Sequence, residues 1–335
     1  MPALSRLLAL SGLILTACGG GDGGDEAATG FVFPAPTQAR LEGVQAMWRA
    51  RDLAPREATV FHQDDTNANY QLRIYEHIVG GRRHYGVVTI PKGAGAYPVV
   101  LFADGLDQSN PSMDLGRWEQ AAQARLGQFV YVVPVFRGRT LIYRNLSLSA
   151  GGDFCDAYDG AADDSIALLN IVDAEIPQAD FTRVMARGGS RGGNIALLLG
   201  VRDARVTAVS AGSAPVDFYR AEVANHYAGQ YRCQFLDGKS EEQSRERMLA
   251  SSPLHYPMRA GVRRVYLDHG DADVVVPPWN ATEMAAHLRA TGTRVELQMY
   301  AGFGHSDIGN SSAFQSRQHE IYEWFRQDGA TSTPP

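Results

Sequence analysis

From Tyr70 onward, short apolar runs alternate with stretches whose apolar positions recur every three or four residues. YQLRIYEHIV and RRHYGVVTIP flank Gly80-Gly81, the pattern of two strands joined by a tight glycine turn. After the turn-rich KGAGAYP, PVVLFA and later FVYVVPVF are unbroken apolar runs, as in parallel strands buried on both faces. MDLGRWEQAAQARL between them has helical spacing, and DAYDGAADDSIALLNIV reads as a helix whose opening acids suit the positive end of its dipole. TRVMARG, VTAVSA, VRRVYLD and VELQMY follow as strands, interleaved with helices NIALLLGVRD, PWNATEMAAHLRATG and QSRQHEIYEWFRQ. This alternation predicts an α/β fold with a doubly wound, mostly parallel sheet, preceded by an N-terminal hairpin. Residues 217–258, polar and helix-prone, break the alternation between two strands and are expected to form an inserted cap. There is no internal repeat.

The ends of the chain follow other patterns. MPALSRLLALSGLILTAC, residues 1–18, has one early arginine, an apolar run too short to span a bilayer, and small residues before Cys18. It reads as a signal peptide, and its Leu15-Thr16-Ala17-Cys18 ending resembles the bacterial lipobox. That resemblance implies lipidation of Cys18 and a protein held at a bacterial membrane, facing the periplasm or the cell surface, by its lipid alone; the plainer alternative is secretion with Cys18 as a stray thiol. Residues 19–36, opening on GGGDGGDEAATG, suit a flexible tether, 37–328 a folded domain, and 329–335 a frayed tail. A net charge of -6 with no basic cluster longer than Arg82-Arg83 gives no footprint for nucleic acid.

Once lipid takes Cys18, Cys155 and Cys233 remain as an even pair in an oxidising compartment, and a disulfide between them is expected to tie the cap to the body. Neither lies in a CxxC, and no histidine stands at ligand spacing from either, so no metal is implied.

RGGSRGGN, residues 187–194, places four glycines between a strand and a helix. This is the context of a G-x-S-x-G nucleophile elbow, a strained turn that presents Ser190 above the sheet. Arg191 then offers its backbone N–H at a helix N-terminus, where an oxyanion donor belongs. A serine nucleophile needs a histidine base and an orienting carboxylate, in the chain order serine, acid, histidine. His287 and His319 fall within helices, His226 and His255 in the expected cap, and His269 precedes every acid of the loop after it. His305, in AGFGHSD after a strand, has the right order and place. For the acid, HGDADVVVP offers Asp271 and Asp273, and spacing does not choose between them.

The series IPKGAGAYPVVLFADG, VFRGR, DDSIALLN, GGSRGG, SSPLHY, HGDADVVVP and YAGFGH, in order over roughly residues 86–326, resembles the prolyl-oligopeptidase-like branch of the α/β-hydrolase superfamily, close to acetyl-xylan-esterase and dienelactone-hydrolase relatives. The resemblance implies Ser190 as nucleophile, Asp273 as acid, His305 as base, the Leu106 N–H as second oxyanion donor, and no cofactor. Two departures stand out. Asp104 occupies the place where the family usually carries histidine, which sets a carboxylate beside a site for negative charge, and the loop lacks the tyrosine common in peptidases. The segment before residue 86 also has no room for the β-propeller of prolyl oligopeptidases. These features imply a serine hydrolase of small or medium acyl esters; the alternatives are a peptidase of short peptides, its amine pocket built in the cap from Glu222, Glu241 or Glu242, and a non-catalytic surface binding lipoprotein.

Overall fold

The computed structural model describes residues 33–220 and 231–328. The signal segment with Cys18, residues 19–32 of the expected tether, the tail, and Glu222 and His226 of the expected cap lie outside the described residues.

Helix α1 (Gln38–Ala50) leads into strands β1 (Arg56–Asp64), β2 (Tyr70–Val79) and β3 (Arg82–Pro91), which pair antiparallel in sequence. Gly80 and Gly81 make the β2–β3 turn with φ of 58° and 73°, a left-handed pair that lets Val79 oppose Arg82 directly. Strand β1 was not foreseen: its pattern is mostly exposed and interrupted by register shifts, so it lacks the apolar alternation that marks a strand.

The parallel part consists of β4 (Tyr97–Ala103), β6 (Val130–Val135), β9 (Ala179–Gly189), β10 (Ala208–Gly212), β11 (Arg264–Gly270) and β12 (Val295–Tyr300). Among the described residues the main sheet has nine strands in the order β1-β2-β3-β6-β4-β9-β10-β11-β12. With helices on both faces, this is an α/β-hydrolase fold. A small second sheet, β5 (Ser112–Asp114), β7 (Thr140–Tyr143) and β8 (Leu146–Ser149), also went unforeseen. It takes Met113 and Asp114 from the expected helix, so that α2 starts at Leu115 and ends at Ala122, with the Asp114 side chain accepting the Arg117 N–H.

One face of the sheet is covered by α3 (Asp159–Glu175), α4 (Arg191–Arg202) and α7 (Trp279–Ala290), whose Leu168, Leu198 and Met284 are fully buried. The other is covered by α2 and α8 (Ser312–Asp328), which pack Trp118 and Phe325 with Phe129 and Val133. Each such side chain contributes about 1.5–3 kcal/mol on leaving water. The acids opening α3 do more than complement its dipole. Asp159 accepts from Trp48 Nε1 at 2.8 Å and from Arg51 Nη2 at 2.6 Å, and Arg202 of α4 bonds both Asp159 and Asp163. The charges therefore lock α1, α3 and α4 together.

Between β10 and β11 lie α5 (Arg232–Phe235) and α6 (Glu241–Ala250), the latter opened by a capping box of Ser240 and Gln243. Phe218, Tyr231 and Phe235 gather around Tyr158, with ring centroids 4.6, 6.0 and 6.1 Å from it. A Cys155–Cys233 disulfide joins α5 to the loop before α3, with the Cα atoms 5.4 Å apart. No helix among the described residues is long and apolar enough to cross a membrane.

Candidate active site

Strand β9 ends at Gly189 and α4 begins at Arg191, so Ser190 bears the whole reversal. Its φ of 55° and ψ of -124° are unfavourable for any residue with a side chain, costing about 1–3 kcal/mol. The turn is held by the Ser190 N–H donating to Gly212 O at 2.8 Å and by Ser190 O accepting the Asn194 N–H at 3.1 Å. Two glycines are sterically required. A Cβ on Gly188 or on Gly192 would overlap the carbonyl oxygen of Ala103 on the neighbouring strand. Gly189 differs: a Cβ there meets nothing nearer than 3.9 Å, so its side of the serine is open.

The loop after β12 brings His305 to the serine, with Nε2 2.9 Å from Ser190 Oγ. His305 Nδ1 lies 2.8 Å from Asp273 Oδ2. A carboxylate at that distance accepts a hydrogen bond from Nδ1–H and so fixes the proton there, which leaves Nε2 free to accept from the serine hydroxyl. Asp273 Oδ1 accepts the backbone N–H groups of Val275 and Val276 at 2.9 and 2.8 Å. Burial alone would raise this carboxyl's pKa, but hydrogen bonds from His269, His305 and the Val276 N–H hold it well below the usual carboxylate range. Asp271, the other candidate acid, accepts the Gly302 N–H at 2.7 Å and braces the loop instead.

His269, which precedes the acids of its loop and so has the wrong chain order for the base, meets the same carboxylate. Its Nε2 lies 2.8 Å from Val276 O and 3.3 Å from Asp273 Oδ2, and the residue is fully buried. Since a carbonyl can only accept, Nε2 carries the proton. Its place at the end of β11, four residues before Asp273, was the available signal. The other histidines lie elsewhere: His255 pairs with Asp217 at 3.0 Å, His287 bonds Tyr256 O at 3.0 Å, and His319 is exposed on α8.

Arg191 opens α4, so its N–H has no partner within the helix. Leu106 lines the pocket at Ser190. The Asp104 carboxylate beside it is neutralised: Oδ1 accepts the Gly105 N–H at 2.9 Å, and Oδ2 pairs with the buried Arg139 at 2.5 Å. Arg139 also binds the carbonyls of Pro111 and Ser112, while the Arg191 side chain bonds the carbonyls of Asp104 and Gly105 at 3.2 and 2.6 Å. Burial lowers the Arg191 pKa to about 9, which leaves it cationic at neutral pH. Two guanidiniums thus hold this loop through its carboxylate and its carbonyls; Arg139 stands in the VFRGR turn, but its reach across to Asp104 has no local signature.

Around these groups is a cavity of about 330 Å³. Glu241 and Glu242, named from the sequence for a possible amine pocket, do not line it: they are exposed on α6 and pair with Arg245 and Arg40.

The profile of the prolyl oligopeptidase family matches residues 118–330. No curated protein sequence matches the chain. Among solved structures, acetyl xylan esterase 1 from Thermoanaerobacterium sp. JW/SL YS485 is similar over 88% of this chain and 99% of its own, at 16% identity and a TM-score of 0.61. An acetyl xylan esterase from Paenibacillus sp. R4 is similar over 84% of this chain and 92% of its own, at 18% identity and a TM-score of 0.60. The acylaminoacyl peptidase of Pyrococcus horikoshii overlaps 80% of this chain and 43% of its own, at 17% identity and a TM-score of 0.58. At such identities the structures speak for the fold.

Proposed function

Because the chain belongs to the prolyl oligopeptidase family and is a serine hydrolase, we propose that it cleaves esters of short acyl groups through an acyl-enzyme on Ser190. His305 Nε2 takes the Ser190 proton as Oγ attacks the acyl carbonyl, and Asp273 fixes the imidazole and stabilises the imidazolium. The N–H groups of Arg191 and Leu106 receive the oxyanion, His305 returns the proton to the departing alkoxide, and water then releases the acid by the same route in reverse. One observation carries this reading: the relay from Asp273 through His305 to Ser190, at 2.8 and 2.9 Å, opens on a pocket of only about 330 Å³. That volume is at the small end for ligand sites, and it suits a short acyl group better than a peptide with flanking residues.

Export and anchoring through Cys18 belong to the same proposal. The lipobox-like sequence and the Cys155–Cys233 disulfide support them, since disulfides persist outside the reducing cytosol.

The test compares a p-nitrophenyl ester of a short acid with prolyl and dipeptidyl p-nitroanilides, each corrected for its uncatalysed rate, alongside fluorophosphonate labelling. The ester should show the larger kcat/KM enhancement and the label should sit on Ser190. A larger enhancement for the amide gives the peptidase reading instead, and absence of label on folded protein gives a binding protein.

A further inference from the structure

The pocket beside Ser190 continues along one face of the central strands. Phe102, Arg187 and Ser210 are register partners on β4, β9 and β10, and register partners of a parallel sheet share a face. All three line the pocket. Helix α8 provides the opposite wall: Phe314, Gln318 and Tyr322 stand four residues apart on one stripe, and the first two line the cavity.

Arg187 is underused there. Among the described residues its one hydrogen bond runs from Nη2 to Gln318 Oε1 at 3.0 Å, its Nε is enclosed without an acceptor, and it forms no ion pair. Behind it, Arg317 pairs with Asp268 at 2.9 Å and with Glu296 at 3.4 Å, and Arg264 pairs with Glu296 at 3.2 Å. Asp268 also acts on Arg187 through its charge and through Gln318, whose Nε2 donates to Asp268 Oδ2 at 3.2 Å, so three guanidiniums share two carboxylates and Arg187 has no direct ion pair with either. The Tyr322 ring lies 4.7 Å from its guanidinium, but Arg125 occupies the same ring at 4.4 Å, so the ring supplies no anion and a second cation is close. Ser213 is the second unsatisfied group: it lines the pocket, is 4% exposed, and its Oγ has no partner. A partly compensated cation and an unbonded buried hydroxyl each cost stability, and an anion bound at Arg187 would relieve the first.

We propose that the preferred substrate is an ester whose acyl chain ends in a free carboxylate, a monoester of a short dicarboxylic acid, held by Arg187. This rests on the ester-hydrolase reading and narrows it. The acyl part is favoured because it stays bonded to Ser190 Oγ after the alcohol has left, so an anchor three residues earlier on the same strand serves both steps. The Oγ–acyl bond forms as the alkoxide departs with the proton from His305; water then cleaves that bond and yields the dicarboxylate.

The experiment measures kcat/KM for mono-p-nitrophenyl glutarate against p-nitrophenyl pentanoate, each divided by its uncatalysed rate. Charge-assisted hydrogen bonds imply a preference of about tenfold or more for the anionic ester. That ratio should collapse in Arg187→Gln and partly return in Arg187→Lys. A wild-type preference for the neutral ester, or an Arg187→Gln variant that slows both esters equally, overturns the proposal. If Arg187→Gln does not fold, the wild-type ratio and the lysine variant decide. Calorimetry of glutarate with Ser190→Ala separates the two readings. Binding that is lost in Ser190→Ala/Arg187→Gln, with no ester cleaved by the wild type, sinks the ester hydrolase and keeps the carboxylate site; cleavage of both esters without preference does the reverse.

Discussion

Asp273 receives four hydrogen-bond donors: two backbone N–H groups, His305 and His269. A carboxylate so surrounded cannot turn, and His305 inherits that fixity, because its ring is oriented by the one oxygen it shares with His269. Asp271 touches only the backbone of the opposing loop. Asp273→Asn should therefore lower kcat by about 10³–10⁴-fold through loss of the correct imidazole tautomer, while Asp271→Asn should cost less than about tenfold. Steady-state kinetics on one ester decides it, and equal losses would mean that Asp271 acts in the relay too.

Among elements, the helices between β10 and β11 are tied to the body by one covalent bond, one aromatic cluster and the ion pairs Arg40–Glu242 and Arg247–Asp156. The disulfide spans 78 residues of sequence. In the chain-entropy account a loop of that length is worth about 4–5 kcal/mol, less any strain in the folded state. We expect Cys155→Ser/Cys233→Ser to unfold at a clearly lower temperature, and reductant to bring the wild type down to the same midpoint. Two titratable thiols in the unreduced, denatured protein would show that the bridge does not form. The aromatic cluster of Tyr158, Phe218, Tyr231 and Phe235 should preserve the placement of α5 in the reduced protein, so catalysis should suffer less than stability.

For the whole molecule, the acid limb of the stability curve has two sources of opposite kind. His77 is buried with both ring nitrogens unbonded, facing His84 and Asp164; burial and the His84 charge lower its pKa to about 4, with Asp164 opposing. The unfolded chain therefore takes up a proton, between about 6.5 and 4, that the folded chain refuses, and acidification through that window favours unfolding. His84, also depressed by burial, acts in the same direction. Asp273 contributes at lower pH: its depressed folded pKa gives stability that is complete above the ordinary carboxylate value of about 3.9 and is lost as pH falls through the folded value. His77→Leu should thus gain on the wild type in melting temperature as pH drops from about 6.5 to about 4, with no further gain below that. Parallel curves for the two proteins would mean that His77 titrates alike in both states.

The sequence by itself determined the α/β alternation, because buried parallel strands and amphipathic helices write their periods locally. It also marked the serine: a strand running into GGSRGG leaves a single residue to make the turn, and Gly188 and Gly192 are there because Ala103 O leaves no room for a Cβ. His305 followed from chain order and its loop. What only the tertiary structure decided lies in contacts between segments far apart in sequence. Asp271 and Asp273 have the same local sequence pattern, and they differ in what folding brings to them: Asp273 is buried against His269, His305 and two backbone N–H groups, while Asp271 stays exposed and accepts one N–H from the loop after β12. Strand β1 has no apolar alternation, and the strands of the small sheet are only three or four residues long; both exist by pairing with neighbours. Asp104 beside the oxyanion loop looked like a misplaced charge until Arg139, 35 residues on, reached it. The same holds for Arg187, which in sequence is one more residue of an apolar strand's end; its place in the pocket wall appears only when α8, more than a hundred residues later, closes the pocket around it and meets it with the amide of Gln318.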